Sequence, residues 1–261
     1  MSGYRIGLIG GCGVIGSAIL KGLVANGVPC SDLIASGTRH RANGLSEGIA
    51  YTTDNDRLIT ESDFIVLAVR PQDFRTMSLN VGGRPLLSVM AGVTVAELIQ
   101  TTKAGFVIRA LPNAAAGVGK SFTPYFTNGV VPLAVRATAE TICRAIGVCT
   151  EVDAEDAIDY FTGLTGSGLG FVAILADAMI EHAVGRGFAA EMVTEAIRVV
   201  FEGSGLLIGR GAESPREITE QLKGYRGTTE AALSAMEEAG FRSTIALGLD
   251  AAEQRAKSMA R

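Results

Sequence analysis

The sequence predicts an α/β protein, with an N-terminal Rossmann-type parallel-sheet domain over residues 1–153 and an all-α C-terminal domain over 154–261. Three observations carry this expectation. Up to about residue 150, short apolar runs alternate with helix-like stretches, the pattern of βαβ units. Beyond Asp153 strand-like runs become few, and Ala, Glu, Leu and Met dominate. A G-x-G-x-x-G sequence follows the first apolar run and opens a helix-like segment.

The elements follow in order. RIGLIG (Arg5–Gly10), LIAS (Leu33–Ser36), FIVLAV (Phe64–Val69), LLSVM (Leu86–Met90) and FVIRAL (Phe106–Leu111) are too short for core helices. Most are rich in β-branched residues, so they are expected to be buried strands. In the second half, breaks at Gly166–Gly170, Gly185–Gly187, Gly209–Pro215 and Gly224–Gly227 delimit four or five helices. No repeat or low-complexity linker separates the halves.

Composition narrows the function classes. The chain has 261 residues, 48% of them hydrophobic, and a net charge of −4 with no long basic run, which argues against a nucleic-acid surface. Cys12, Cys30, Cys143 and Cys149 show no C-x-x-C spacing, and only His40 and His182 could join them, so neither a metal site nor a disulfide framework is expected. His182 lies on a helical face and is expected to be a packed or surface histidine. No window is judged to approach the ~20 apolar residues of a membrane span, and the N-terminus lacks a signal-like pattern. The expectation is a cytoplasmic protein without a membrane partner.

Gly11-Cys12-Gly13-Val14-Ile15-Gly16 is the expected phosphate loop. Its first glycine permits a tight turn, its second admits a pyrophosphate, and its third lets helix and strand pack closely. The end of the second strand reads Ser36-Gly-Thr38-Arg39-His40-Arg41, with no carboxylate to hold a ribose 2′-hydroxyl. Hydroxyls and guanidinium groups suit a 2′-phosphate, so NADPH is the expected cofactor, with NADH possible. Near the C-terminus, GTTEAALSAMEEAGFR begins with Gly227, Thr228 and Thr229. Two hydroxyls at a helix start suit a carboxylate beside a proton donor. They equally suit a simple helix cap.

Taken together, RIGLIGGCGVIG, TTDNDRLI around Asn55, AVRP at Ala68–Pro71, MAGVTV at Met90–Val95, RALPN at Arg109–Asn113, TGSG at Thr165–Gly168 and the GTT…GFR block resemble the pyrroline-5-carboxylate reductase family. The resemblance spans nearly the whole chain. It implies NAD(P)H-dependent reduction of a small cyclic imine carboxylate, in first place pyrroline-5-carboxylate to proline, by a homodimer or dimer-based oligomer built through the C-terminal helices. It further implies that Asn55, Ala68, Val69, Arg70, Pro71, Met90, Ala91, Gly92 and Asn113 line the dinucleotide. Thr229 would sit against the imine nitrogen, Glu155 near the substrate, and Gly168, Gly227 and Thr228 around its carboxylate.

Three departures stand in segments that enclose the family's active site. Leu169-Gly170 replace Pro-Ala, Ala114-Ala115 replace Thr-Pro after Asn113, and Gly224-Tyr225-Arg226 replace Ser-Pro-Gly. Arg226 is either a solvent-facing loop arginine or a charge-assisted anchor for a second anionic group, with Tyr225 a wall for a ring. An imine reductase of specialised metabolism, acting on a different or larger imine, is therefore a second reading. β-Hydroxyacid dehydrogenases share the layout but use a lysine after the glycine-rich segment, and Gly166–Glu181 contains none. A non-catalytic dinucleotide sensor is a third reading, disfavoured by retention of GTT.

Overall fold

The computed structural model describes residues 3–37 and 47–259. In chain order the elements are β1 (Ile6–Ile9), α1 (Val14–Ala25), β2 (Leu33–Ser36), β3 (Ala50–Thr52), α2 (Asn55–Thr60), β4 (Phe64–Leu67), α3 (Pro71–Phe74) and β5 (Pro85–Ser88). There follow α4 (Val95–Thr102), β6 (Phe106–Ala110), β7 (Ser121–Thr127), α5 (Leu133–Arg144), β8 (Gly147–Glu151) and α6 (Asp156–Phe161). A π-helical turn, Thr162–Gly166, precedes α7 (Gly168–Gly185), α8 (Ala190–Arg210), α9 (Pro215–Gly224), α10 (Thr228–Glu238) and α11 (Phe241–Met259).

The chain divides into two compact units, residues 1–167 with 251–261, and residues 168–250. In the first, eight strands form one sheet in the order β3-β2-β1-β4-β5-β6-β7-β8. All neighbours run parallel except β6 and β7. β1, β2 and β4 are buried along their whole length, as expected of parallel strands covered on both faces. One apolar layer gathers Leu8, Ile19 and Leu23 with Ile142 of α5; the other gathers Ile65, Leu86 and Leu98 with Phe74. The strand order reverses between β1 and β4, which opens a crevice at their C-terminal ends.

Five strands were expected and eight are present among the described residues. β7 carries Pro124, which has no N–H to give the ladder and normally argues against an inner strand. It is accommodated because Leu111 donates to the Pro124 carbonyl (3.0 Å) and β8 pairs along the other side. β3 has three residues, and β8 buries only Cys149, so neither presents a strong apolar run.

Helix α6 and the last turns of α11 belong with this unit. Arg109 of β6 is fully buried and donates to Asp159 of α6 (2.6 Å) and to Glu155 just before it (3.0 Å). Ala256 of α11 is also buried.

The helical unit holds α7 to α10 and the first part of α11. α7 packs on α8. Within the chain α7 buries none of its residues and α8 only Val193. α10 and α11 flank an apolar cleft of about 500 Å³ lined by Leu233, Met236, Phe241, Ile245 and Leu249. The expectation of no span-length apolar segment needs correction: Asp156–Gly185 is a 30-residue helical stretch containing an 18-residue window with a mean hydropathy of 1.6, long and apolar enough to cross a membrane by length and composition alone. Small residues and scattered acids, among them Asp159, Asp177 and Glu181, conceal it from a search for an unbroken apolar run. His182 is exposed at the end of α7.

Candidate active site

The crevice at the sheet's switch point is a cleft of about 320 Å³. Its floor is the loop between β1 and α1. Gly10 and Gly11 both donate to the Ser36 carbonyl (3.1 and 2.9 Å), which pins the loop to the end of β2. Gly10 has a φ of +86°, which glycine alone adopts at no steric cost. Helix α1 begins at Gly13 with no side-chain cap and no acid in its first turn. The first N–H groups of a helix have no acceptor within it, and partial positive charge collects there; Gly13, at this helix start, lines the cleft. A side chain on Gly16 would meet Gly11 Cα at 2.9 Å and the Gly10 carbonyl closer still. The third glycine is therefore what lets α1 sit this close to the loop.

The other walls come from the ends of β2 and β4. Ser36 is buried and donates to Asn55 Oδ1 (2.6 Å), so its hydroxyl serves to orient Asn55 at the start of α2. Asp54 caps that helix by accepting from Asp56 and Arg57. Tyr51 donates to the Gly37 carbonyl (3.2 Å), and burial, with the Cys12 thiol beside it, pushes its phenol pKa up. Opposite, Ala68, Val69 and Arg70 lead into the short helix α3.

Of the residues expected around a dinucleotide, the cleft brings together Cys12, Gly13, Ser36, Asn55, Ala68, Val69 and Arg70. It also includes Gly37, Thr53, Asp73 and Met77, which the motifs did not single out. Gly11, Val14, Ile15, Gly16 and Pro71 flank it in sequence without lining it. Met90 is buried in the core, Ala91 does not line the cleft, and Gly92 packs against Met259. The Asn113 side chain accepts from Ala115 N–H (3.0 Å), capping the turn Ala114–Val118. Thr38 and Arg39, on which the NADPH expectation rests, lie outside the described residues.

Glu155 has a structural occupation. One carboxylate oxygen accepts from the Val95 N–H (2.8 Å) and from Arg109 (3.0 Å). It thereby ties α6 to the start of α4.

In the helical unit, the two helix starts on either side of Gly224–Gly227 differ in kind. α9 is closed by a capping box, with Ser214 N–H donating to Glu217 (2.6 Å) and Glu217 N–H to Ser214 Oγ (3.3 Å). α10 begins at Gly227 with no side-chain cap. Thr228 and Thr229 occupy its first turn, both exposed, and among the described residues neither hydroxyl makes a hydrogen bond. Capping therefore does not account for them. Arg226, just before, is exposed and has a φ of +48°, a region a residue with a side chain rarely adopts. Gly168, at the start of α7, also has open space where a side chain would stand. Among the described residues no cluster of His, Cys, Asp or Glu could hold a metal ion.

Comparison with known proteins agrees with this geometry. Residues 155–259 match the family model described as pyrroline-5-carboxylate reductase dimerisation, and residues 5–92 match that described as NADP oxidoreductase, coenzyme F420-dependent. The chain is 31% identical to pyrroline-5-carboxylate reductase of Synechocystis sp., over 98% of each chain. Among solved structures it resembles a pyrroline-5-carboxylate reductase from Coxiella burnetii, with a TM-score of 0.89, 27% identity and 99% of each chain covered. It shares the fold of a Plasmodium falciparum pyrroline carboxylate reductase solved with NADP bound, with a TM-score of 0.84, 22% identity and 100% of each chain covered. By its identity to a relative over its full length, the chain belongs to the pyrroline-5-carboxylate reductase family.

Proposed function

We propose that this chain reduces pyrroline-5-carboxylate to proline, with NADPH as the preferred hydride donor and NADH as the alternative. The observation that carries the reading is the start of α10, where an uncapped helix terminus presents two threonine hydroxyls that hold no partner of their own. The switch-point cleft fits the dinucleotide. Its helix terminus is unfilled by any side chain and free of acid, and its glycines leave the backbone accessible to phosphate oxygens. When bound, NAD(P)H supplies the hydride.

The chain's own groups bind, orient and manage the proton. First-turn N–H groups at α10, with Thr228, hold the substrate carboxylate by charge and hydrogen bond. The Thr229 hydroxyl hydrogen-bonds the ring nitrogen and orients the C=N carbon for attack. No strong acid is needed, because an iminium nitrogen already carries the proton that the amine product keeps. Glu155 acts indirectly, by fixing the start of α4.

The functional assembly is a dimer through the helical region, and the chain works in the cytoplasm. Gly203, Gly205 and Gly209 in α8 have open space where a side chain would stand, although glycine inside a helix costs about 1 kcal/mol relative to alanine. A second copy packed closely on α8 gives those glycines a reason, and covers the apolar faces of α7 and α8 with protein instead of lipid.

Thr229→Ala tests the central role. Turnover is expected to fall by about 10²–10⁴-fold while the melting temperature stays put, since the hydroxyl makes no structural bond. Unchanged turnover would remove Thr229 from the reaction. A panel of pyrroline-5-carboxylate, its six-membered analogue and pyrroline-2-carboxylate, each with NADPH and NADH, tests the substrate. Preference for another imine would point to Arg226, whose guanidinium precedes Gly227 and supplies a second anion anchor.

A further inference from the structure

One wall of the switch-point cleft has little structure of its own. It is made by Val69, Arg70, Asp73 and Met77, on and around a four-residue helix. Beyond Met77 the chain runs without regular structure until β5. Residues 74–77 each donate to the turn before them, but those bonds stay within the segment, so the wall takes its position in the unit from its anchors. One anchor is Phe74, fully buried in the apolar layer on that face of the sheet. The other is Arg75, the residue that ends α3.

Arg75 makes four hydrogen bonds to three separate parts of the unit. Its Nε and Nη2 donate to the two carboxylate oxygens of Glu97 on α4 (2.8 and 3.1 Å), a bidentate pair that fixes the plane of the guanidinium. The same Nη2 donates to the Gly92 carbonyl (3.0 Å) and to the carbonyl of Met259 (3.1 Å), 184 residues away in sequence. Gly92 has a φ of +66°, and a side chain on it would meet Met259 Cβ at 2.7 Å. The last turn of α11 therefore rests directly on the loop between β5 and α4. That loop is held a second time at Val95, whose N–H donates to Glu155.

We propose that Arg75 is a positioning residue for the dinucleotide cleft, clasping the cleft wall at α3 to the Gly92 loop and to the last turn of α11, so that the chain's own C-terminal turn sets cofactor affinity. The guanidinium itself binds no cofactor; it holds the segment that does. The inference rests on the reading of the cleft as a dinucleotide site.

The test is a direct titration of NADPH, followed by its fluorescence and without imine, on the full-length protein, on Arg75→Ala, on a chain ending at Lys257, and on the two changes combined. Removal of Met259 takes away one acceptor and the turn that covers Gly92, while buried Ala256 is kept. Each single change is expected to raise the NADPH Kd about tenfold, because small misplacements of a binding wall are costly. The combined variant is expected to bind no more weakly than Arg75→Ala alone, because both changes open one clasp and coupled residues are not additive. In steady state the KM for NADPH follows the Kd, and the KM for the imine stays within twofold. A wild-type NADPH Kd in either single variant that still melts cooperatively would overturn the proposal, as would strictly additive losses. If the full-length protein itself fails to bind NADPH, the cofactor reading falls and the clasp with it.

Discussion

Replacement of Gly16 by alanine probes the fit between α1 and the glycine loop. An added methyl carbon would stand 2.9 Å from Gly11 Cα and 3.0 Å from Leu8 Cδ2, with the Gly10 carbonyl nearer still. Ordinary contact for such a carbon begins at 3.4 Å, so the helix start must withdraw by at least 3.4 − 2.9 Å, about 0.5 Å, and further to clear the carbonyl. The Leu8 side chain can yield, but the two backbone groups cannot without moving the loop pinned to Ser36. Overpacking of this kind costs about 1–3 kcal/mol of stability. Its larger effect falls on the phosphate site, because the first-turn N–H groups of α1 move away from where the loop would seat an anion. Loss of one charge-assisted hydrogen bond is worth about 1.5–3 kcal/mol, which corresponds to an NADPH Kd raised roughly 10- to 150-fold. Isothermal titration with NADPH, beside a thermal melt, measures both terms. If Gly16→Ala binds NADPH as the wild type does, the close approach of α1 has no bearing on the cofactor and the phosphate-loop argument fails.

Two further outcomes follow from groups outside the cleft. Arg109→Met leaves Glu155 and Asp159 facing a buried space without their cation; breaking such a pair costs about 3–5 kcal/mol, or roughly 6–20 °C in Tm for a chain of this size, and a circular dichroism melt within about 2 °C of wild type would mean that the carboxylates have found other partners. Glu217 is held below its ordinary 4.5 by the Ser214 backbone N–H and then by the Ser214 side chain. A depressed folded pKa stabilises above the unfolded value and loses that contribution as pH falls through the folded one. Amide exchange in the first turn of α9 should therefore be slower in wild type than in Glu217→Gln near neutral pH, with the gap closing as pH falls through the depressed folded pKa; a gap that persists once the carboxylate is protonated would show that its charge is not what closes the helix.

Much of the fold was legible because it rests on local pattern. The first, second and fourth strands are continuous apolar runs, and the glycine spacing after β1 has one structural context in which it makes sense. The helix breaks at Gly209–Pro215 and Gly224–Gly227 coincide with the ends of α8 and α9. Elements that take their stability from neighbours were harder to see. β7 carries a proline and is a strand because β6 and β8 pair with it on either side. The same division runs through the site. Cys12, Gly13 and Asn55 could be placed from motif position, whereas Asp73 and Met77 line the cleft only because Phe74 turns inward between them. Glu155 was expected near substrate, and its partnership with Arg109 across 46 residues has no local signal. No spacing rule connects Arg75 to a carbonyl at the far end of the chain.

The bare surface of α7 reaches beyond the single molecule. A newly made chain carries an apolar helix that buries none of its residues, together with exposed Leu206, Leu207 and Ile208 on α8, the kind of surface that chaperones and proteases recognise. Its lifetime in the cell is then set by how soon a second copy arrives, so synthesis rate and folding stability act on the same quantity. A substitution far from either threonine, if it slows pairing, would lower the amount of enzyme without touching the rate of any molecule that assembles.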